Sequence, residues 1–155
     1  MIKFSVARLE KEPIELSGSE PPEFLDLASE DLYEVISDVE YDLVVRKVSG
    51  GALLSGSCRV VVGSECGRCL EQVEVEIAAE DIEIFFDLTE CGDEVDVSED
   101  IRSELLLELP MSVLCSEDCA GLCPDCGCNL NDDSCRCHES PHGSPAWGEL
   151  DKLNL

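Results

Sequence analysis

The chemistry open to this chain lies in its eleven cysteines. None precedes Cys58, and seven fall between Cys115 and Cys137. Cys66-Gly67-Arg68-Cys69 and Cys123-Pro124-Asp125-Cys126 are both C-x-x-C turns. A turn of this length aims its amide N–H groups at the two sulfurs, which suits a pair of thiolates on one metal ion. Gly67 is expected to relieve the first turn. In the second, Pro124 presets φ after the first ligand and Gly127 can take the left-handed conformation after the last. Cys135-Arg136-Cys137 follows a short loop through Asn129-Leu130-Asn131.

Zinc is held tetrahedrally by four such sulfurs at about 2.3 Å. Eight ligands would serve two ions. The preferred grouping sets Cys123, Cys126, Cys135 and Cys137 around one ion. The other ion would join Cys66 and Cys69 to Cys115 and Cys119. A competing grouping takes Cys115, Cys119, Cys123 and Cys126 together and leaves Cys66/Cys69 with Cys135/Cys137. Spacing does not choose between them. Four cysteines per ion leave no position for water, so two structural Zn2+ ions are expected and no catalytic one.

Other chemistries fit less well. Cys119-x3-Cys123-x2-Cys126 has the spacing of radical [4Fe–4S] enzymes, but those need a barrel larger than the whole chain. Electron transfer through an iron–sulfur cluster requires the cysteines to converge on one cluster. A thioredoxin-like centre needs a βαβ context that the sequence lacks. There is no Ser/His/Asp set, no glycine-rich phosphate loop and no distinguishable catalytic carboxylate pair, so no enzymatic activity and no small-molecule substrate are expected. Of the remaining cysteines, Cys58 reads as a small core residue and Cys91 as an unreactive thiol among carboxylates. Cys128 reads as a bystander of the second turn, and His138 and His142 as solvated side chains.

The elements that must position these cysteines belong to a chain of 155 residues, enough to bury roughly 70% of its unfolded surface. Aromatic residues are only 5%, so the core must be aliphatic. The net charge of −26 opposes nucleic acid and anionic lipid, making direct binding to naked RNA unfavourable. With no apolar run of membrane-spanning length and no leader-like start, the chain is expected in the cytoplasm, away from membranes, where its cysteines stay reduced.

Alternation of apolar and polar residues marks most of the body as strand. Ile2–Leu9 reads as a first strand, and Ser19-Glu20-Pro21-Pro22 as a breaker. Ser29-Glu30-Asp31-Leu32 could open a helical turn. Strand patterns around Tyr41–Val48 and Leu54–Val62 flank a reversal at Ser49-Gly50-Gly51. From Leu70 to Phe86 the apolar face carries Val73, Val75, Ile77 and Ala79, then resumes one position out of phase at Ile82, Ile84 and Phe86. A β-bulge explains the slip. Ser98 reads as the N-cap of a helix over 99–109 whose stripe is Ile101, Leu105 and Leu109, ended by Pro110. The fold class is therefore α+β: an antiparallel β-meander body with one main helix and a C-terminal cysteine-rich zinc-knuckle unit. Residues 1–110 form the body, 111–139 the metal-binding unit, and 140–155 a connector with a short helix near Ala146–Leu153.

Two stretches carry a family resemblance. One is Cys66-Gly67-Arg68-Cys69-Leu70-Glu71. The other runs from Leu109-Pro110 through Leu114-Cys115, Asp118-Cys119-Ala120-Gly121-Leu122-Cys123-Pro124-Asp125-Cys126-Gly127 and Cys135-Arg136-Cys137 to Pro145-Ala146-Trp147-Gly148. Together they resemble the YceD family, named for accumulation of large-subunit ribosomal RNA; Cys58, Cys91 and Cys128 are additions to its pattern. The resemblance implies an accessory, non-catalytic role in large ribosomal subunit biogenesis. Thirteen acidic residues and no Lys or Arg lie between Glu71 and Asp100. Given that charge, the partner is expected to be a basic ribosomal protein or a large-subunit assembly factor. A zinc-stabilised adaptor unrelated to ribosomes is the alternative.

Overall fold

The structure is a computed structural model and describes residues 1–27, 32–89 and 92–132, together with Cys135 and Cys137. It is mostly antiparallel sheet with one main helix. The strands are β1 (Lys3–Ser5), β2 (Ile14–Glu20), β3 (Tyr33–Val35), β4 (Val39–Val48), β5 (Gly51–Glu65), β6 (Gln72–Phe86) and β7 (Glu94–Asp96). A helical turn, α1 (Val6–Leu9), follows β1, and the main helix is α2 (Ser98–Leu107).

The expected first strand is thus cut short after Ser5, and Leu9 is buried from a helical turn. Residues 28–31, where the helical turn was expected to open, and those past Cys137, where a short helix was expected, lie outside the described residues, as do His138, His142 and Cys91.

β4, β5 and β6 form the expected meander, with β2 paired outside β4 and β3 paired to the far half of β5. Val48 pairs with Gly51, so Ser49 and Gly50 make a two-residue reversal in which Gly50 takes φ +90°. β5 keeps its phase throughout, burying Leu54, Cys58, Val60 and Val62. β6 does not. Gly56 pairs with Ile82 and Cys58 with Ala79, so Glu80 and Asp81 oppose Ser57 alone. This extra residue lets Ile77, Ala79 and Ile82 all face the core although their spacing breaks the two-residue period. Both glutamates at 74 and 76, with Glu80, Asp81 and Glu83, stay exposed.

The core is an aliphatic layer between the sheet and α2. Leu43, Val45, Leu54, Ile82, Ile101 and Leu105 are almost wholly buried in it, and Leu109 packs against its edge. Cys58 lies in the same cluster, where burial pushes its thiol up to about 12. Ser98 is not the cap of α2. Val97 holds that position, while the Ser98 hydroxyl accepts the Ile2 N–H at 2.8 Å and its own N–H donates to Asp96 Oδ1 at 3.0 Å. The β1–β7 pair needs Ser98 more than the helix start does, because Val97 also donates back to the Ile2 carbonyl. After α2 the chain turns toward the reversal between β5 and β6, and the Tyr33 hydroxyl donates to the Pro110 carbonyl on the way.

Candidate metal centres

The first C-x-x-C turn is the reversal between β5 and β6, where Glu65 pairs with Gln72. Cys66 donates its N–H to the Glu71 carbonyl at 2.8 Å, and Leu70 donates to the Cys66 carbonyl at 2.9 Å. The left-handed residue of this turn is Leu70, at φ +63°, and not Gly67. Gly67 instead donates its N–H to the Val113 carbonyl at 2.8 Å, bringing the segment beyond α2 against the turn. Arg68 reinforces that contact. Its guanidinium donates to the carbonyls of Glu117 and Cys119, at 3.2 and 3.0 Å, and its own carbonyl accepts the Leu122 N–H at 3.1 Å.

These contacts bring Cys115 and Cys119 to Cys66 and Cys69. The four sulfurs all lie within 4.8 Å of one another, with Cys66–Cys119 at 3.8 Å and Cys69–Cys115 at 3.6 Å. Cys66, Cys69 and Cys119 are buried and Cys115 is exposed.

The second C-x-x-C turn repeats the first. Cys123 donates to the Cys128 carbonyl at 2.8 Å, and Gly127, at φ +73°, donates to the Cys123 carbonyl at 2.9 Å. Cys135 and Cys137 close a second group with Cys123 and Cys126. Cys135 Sγ lies 3.5 Å from Cys126 Sγ and 3.3 Å from Cys123 Sγ, and it accepts the Cys137 N–H at 3.3 Å. The eight sulfurs are therefore gathered as Cys66/Cys69/Cys115/Cys119 and Cys123/Cys126/Cys135/Cys137.

Four sulfurs at about 2.3 Å from a central ion stand about 3.8 Å apart in a tetrahedron. The four separations given, 3.3 to 3.8 Å, lie near that figure and every pair within a group is inside 4.8 Å, so each group could hold a metal ion. Within each group the thiols are arranged to ionise unequally. Backbone N–H groups of Cys69, Cys115 and Arg68 around its sulfur draw Cys66 down to about 6. The Cys128 N–H, then the neighbouring thiols, bring Cys126 to about 6. Cys119 is lowered first by the Asn131 amide. Against these, hydrogen bonds to Cys135 and Cys126 and then burial hold Cys137 up to about 12. A cation entering either group displaces the remaining protons.

Cys128 stands beside the second group and outside its four. Its thiol is pushed up to about 12, foremost by its bond to Cys126.

Two residues of the site escaped the sequence reading. Asn131 reaches Cys119 Sγ at 3.4 Å, and Asn129 reaches Glu71 Oε1 at 2.8 Å across 58 residues. Between the cysteines they read only as turn formers. The signal available was a pair of asparagines placed where a loop must fold back, which does not say whose sulfur the amide meets.

Residues 87–154 match the family model described as "Large ribosomal RNA subunit accumulation protein YceD". Residues 87–154 thus carry a YceD domain. The Cys66–Cys69 turn lies outside the matched span, whereas Cys115 through Cys137 lie inside it. Two plant proteins named "Large ribosomal RNA subunit accumulation protein YCED homolog 1, chloroplastic" are similar over shorter stretches. The one from Arabidopsis thaliana is 41% identical over 59 residues, 37% of this chain and 18% of that protein. The one from Zea mays is 44% identical over 45 residues, 28% of this chain and 15% of that protein. Similarity extends further in an uncharacterized protein of Mycobacterium tuberculosis strain H37Rv, 33% identical over 126 residues, covering 72% of this chain. The chain spans about 60% of the length of such mycobacterial relatives. No solved structure matches the chain. Among the described residues no helix is long and apolar enough to cross a membrane.

Proposed function

We propose that this protein is a non-catalytic accessory factor in large ribosomal subunit biogenesis, shaped by two structural zinc ions and acting in the cytoplasm. The observation that carries the reading is the YceD match over 87–154, whose name ties the family to accumulation of large-subunit ribosomal RNA. Zinc is the ion best suited to two closed all-cysteine tetrahedra in a reducing compartment. Each ion would be fully ligated by protein, so it would hold shape and bind no substrate.

Charge supports a protein partner over RNA. Eight thiolates and two Zn2+ take the chain to about −30 from its formal −26. Along β6 the exposed acidic side chains are Glu74, Glu76, Glu80, Asp81 and Glu83, and Arg59 on the neighbouring β5 is engaged by Glu40. Such a face attracts a basic ribosomal protein or assembly factor and repels phosphate.

The test is sedimentation of the native protein with large-subunit precursors, followed by recovery of its bound partners at rising salt. Co-migration with precursors and salt-sensitive capture of basic proteins are expected. Tight binding to protein-free ribosomal RNA would refute the docking face, and absence from all precursor fractions would refute the ribosomal role.

A further inference from the structure

We propose that Asn131, held by Asn129, is a positioning residue through which closure of the second cysteine group strengthens the first group's grip on its metal ion. The inference rests on the reading of both groups as metal sites.

Asn131 belongs to the loop between Cys126 and Cys135, yet its side chain serves the other group. Its Oδ1 accepts the Ala120 N–H at 2.8 Å, directly after Cys119. Because a backbone N–H can only donate, the amide oxygen must face Ala120, which leaves the NH2 group directed elsewhere. That group donates to Cys119 Sγ at 3.4 Å and to Asn129 Oδ1 at 2.8 Å. Asn129 Oδ1 also accepts the Asn131 backbone N–H at 3.0 Å, fixing the amide plane from both sides. Asn129 in turn donates to Glu71 Oε1 at 2.8 Å, two residues past Cys69. The bridge between Leu122 and Asn129, with Leu130 N–H on the Gly121 carbonyl at 2.8 Å, seats the loop on the first group's wrapping segment.

A metal-bound thiolate keeps most of its negative charge, and an N–H donated to it stabilises the bound form. Loss of such outer partners commonly lowers metal affinity 10- to 100-fold. The contacts to Asn129, Ala120 and Gly121 place Asn131, and closing its loop at both ends restricts it further. Cys126 fixes one end, and Cys135 with Cys137 fixes the other when they share an ion. Filling the second group therefore removes the freedom Asn131 would otherwise lose on meeting Cys119. The coupling is reciprocal, so filling the first group must help the second by the same factor.

The experiment titrates the full-length, reduced chain with Co(II) against a competing chelator and follows the thiolate-to-cobalt absorption. Four chains form a cycle: wild type, Asn131→Asp, Cys126→Ser/Cys137→Ser, and the combination. Asn131→Asp keeps the oxygen for Ala120 and removes the donor to sulfur. Removing the second group is expected to weaken the first about tenfold or more in the wild-type background and to cause no further loss with Asn131→Asp. Asn131→Asp alone should also shift the charge-transfer band of the first group, which a purely structural role would leave in place. Asn131→Ala, adding no charge, must give the same ranking, and it replaces Asn131→Asp if that chain does not fold. Equal weakening in both backgrounds, or unchanged affinity at the first group in the Asn131 variants, overturns the coupling while the metal sites stand. A wild-type chain that takes up no cobalt overturns the metal reading and the coupling together.

Discussion

Leu70 and Gly127 occupy the same place in two equivalent turns. Each follows the second cysteine of a C-x-x-C pair, each has positive φ, +63° and +73°, and each donates its N–H to the first cysteine's carbonyl at 2.9 Å. Only one of them is a glycine. A leucine in the left-handed region costs about 1–2 kcal/mol through crowding of its Cβ, partly offset by its smaller loss of backbone freedom. Its side chain is 58% exposed, so little packing would be lost with it. Leu70→Gly should therefore stabilise the protein by about 0.5–1 kcal/mol. Chemical denaturation of the metal-loaded chain measures this; a loss of stability would show that the Leu70 side chain contributes more than its backbone costs.

The bulge in β6 leaves a second backbone constraint on β5. Gly56 faces Ile82 at the register shift, and a Cβ placed there would stand 2.2 Å from the Asp42 carbonyl oxygen and 2.8 Å from Leu43 Cα. Both obstacles are backbone atoms of the central strand β4 and cannot swing aside. Gly56→Ala should cost on the order of 3 kcal/mol or prevent folding, whereas Gly92→Ala, which meets nothing within 4 Å, should be near neutral. Comparable melting of the two variants would contradict the tight β4–β5 approach.

Where local pattern and tertiary demand coincide, the sequence is informative. The meander was legible because β4, β5 and β6 alternate over long stretches, and even the phase slip between Ala79 and Ile82 survived as a readable break. β2 was missed: Ile14–Glu20 has few apolar residues and a Ser-Gly-Ser run, and it is a strand because β4 offers it an edge. Ser98 has the chemistry of a cap, but the Ile2 N–H, 96 residues away, claims its hydroxyl. At the cysteines, spacing told which residues pair along the chain. It could not tell which pairs meet, since that follows from Gly67 and Arg68 binding the carbonyls of Val113, Glu117 and Cys119. The asparagine contacts were illegible for the same reason.

The uneven acidities give the metal-free protein a characteristic reactivity. Cys66 and Cys126 are both lowered to about 6, foremost by backbone N–H groups, but Cys66 is buried and Cys126 exposed. A depressed thiol is ionised at neutral pH and loses its charge as pH falls through about 6. Alkylation of the reduced, metal-free chain should thus begin at Cys126 and fall away below pH 6, with Cys128 and Cys137, both near 12, reacting far more slowly. Peptide mapping after brief labelling between about pH 5 and pH 9, a window that spans the free-thiol range from below to above, reads the order directly. Cys128 reacting first would invert the assignment.

Removing one ligand from each group should have different reach. Cys123 lies in a group closed within 15 residues of chain, between Cys123 and Cys137. Cys69 lies in one that ties the β5–β6 reversal to Cys119, fifty residues on. With zinc in both groups as proposed, each ion would contribute on the order of 10 kcal/mol of apparent binding free energy, so neither loss would be subtle. Cys123→Ser should retain one ion, leave the exchange protection of β4 and β5 intact, and release the segment from Cys123 onward. Cys69→Ser should also retain one ion, yet it should expose amides at the Glu65–Gln72 end of the hairpin and along 113–122, because the clamp between sheet and post-helical segment is gone. Cys128→Ala, which removes a sulfur outside both groups, should keep both ions. Metal analysis with hydrogen exchange on the three chains decides the matter: identical, global loss of protection in Cys69→Ser and Cys123→Ser would mean that the two groups form one cooperative unit, and loss of an ion from Cys128→Ala would place that thiol among the ligands.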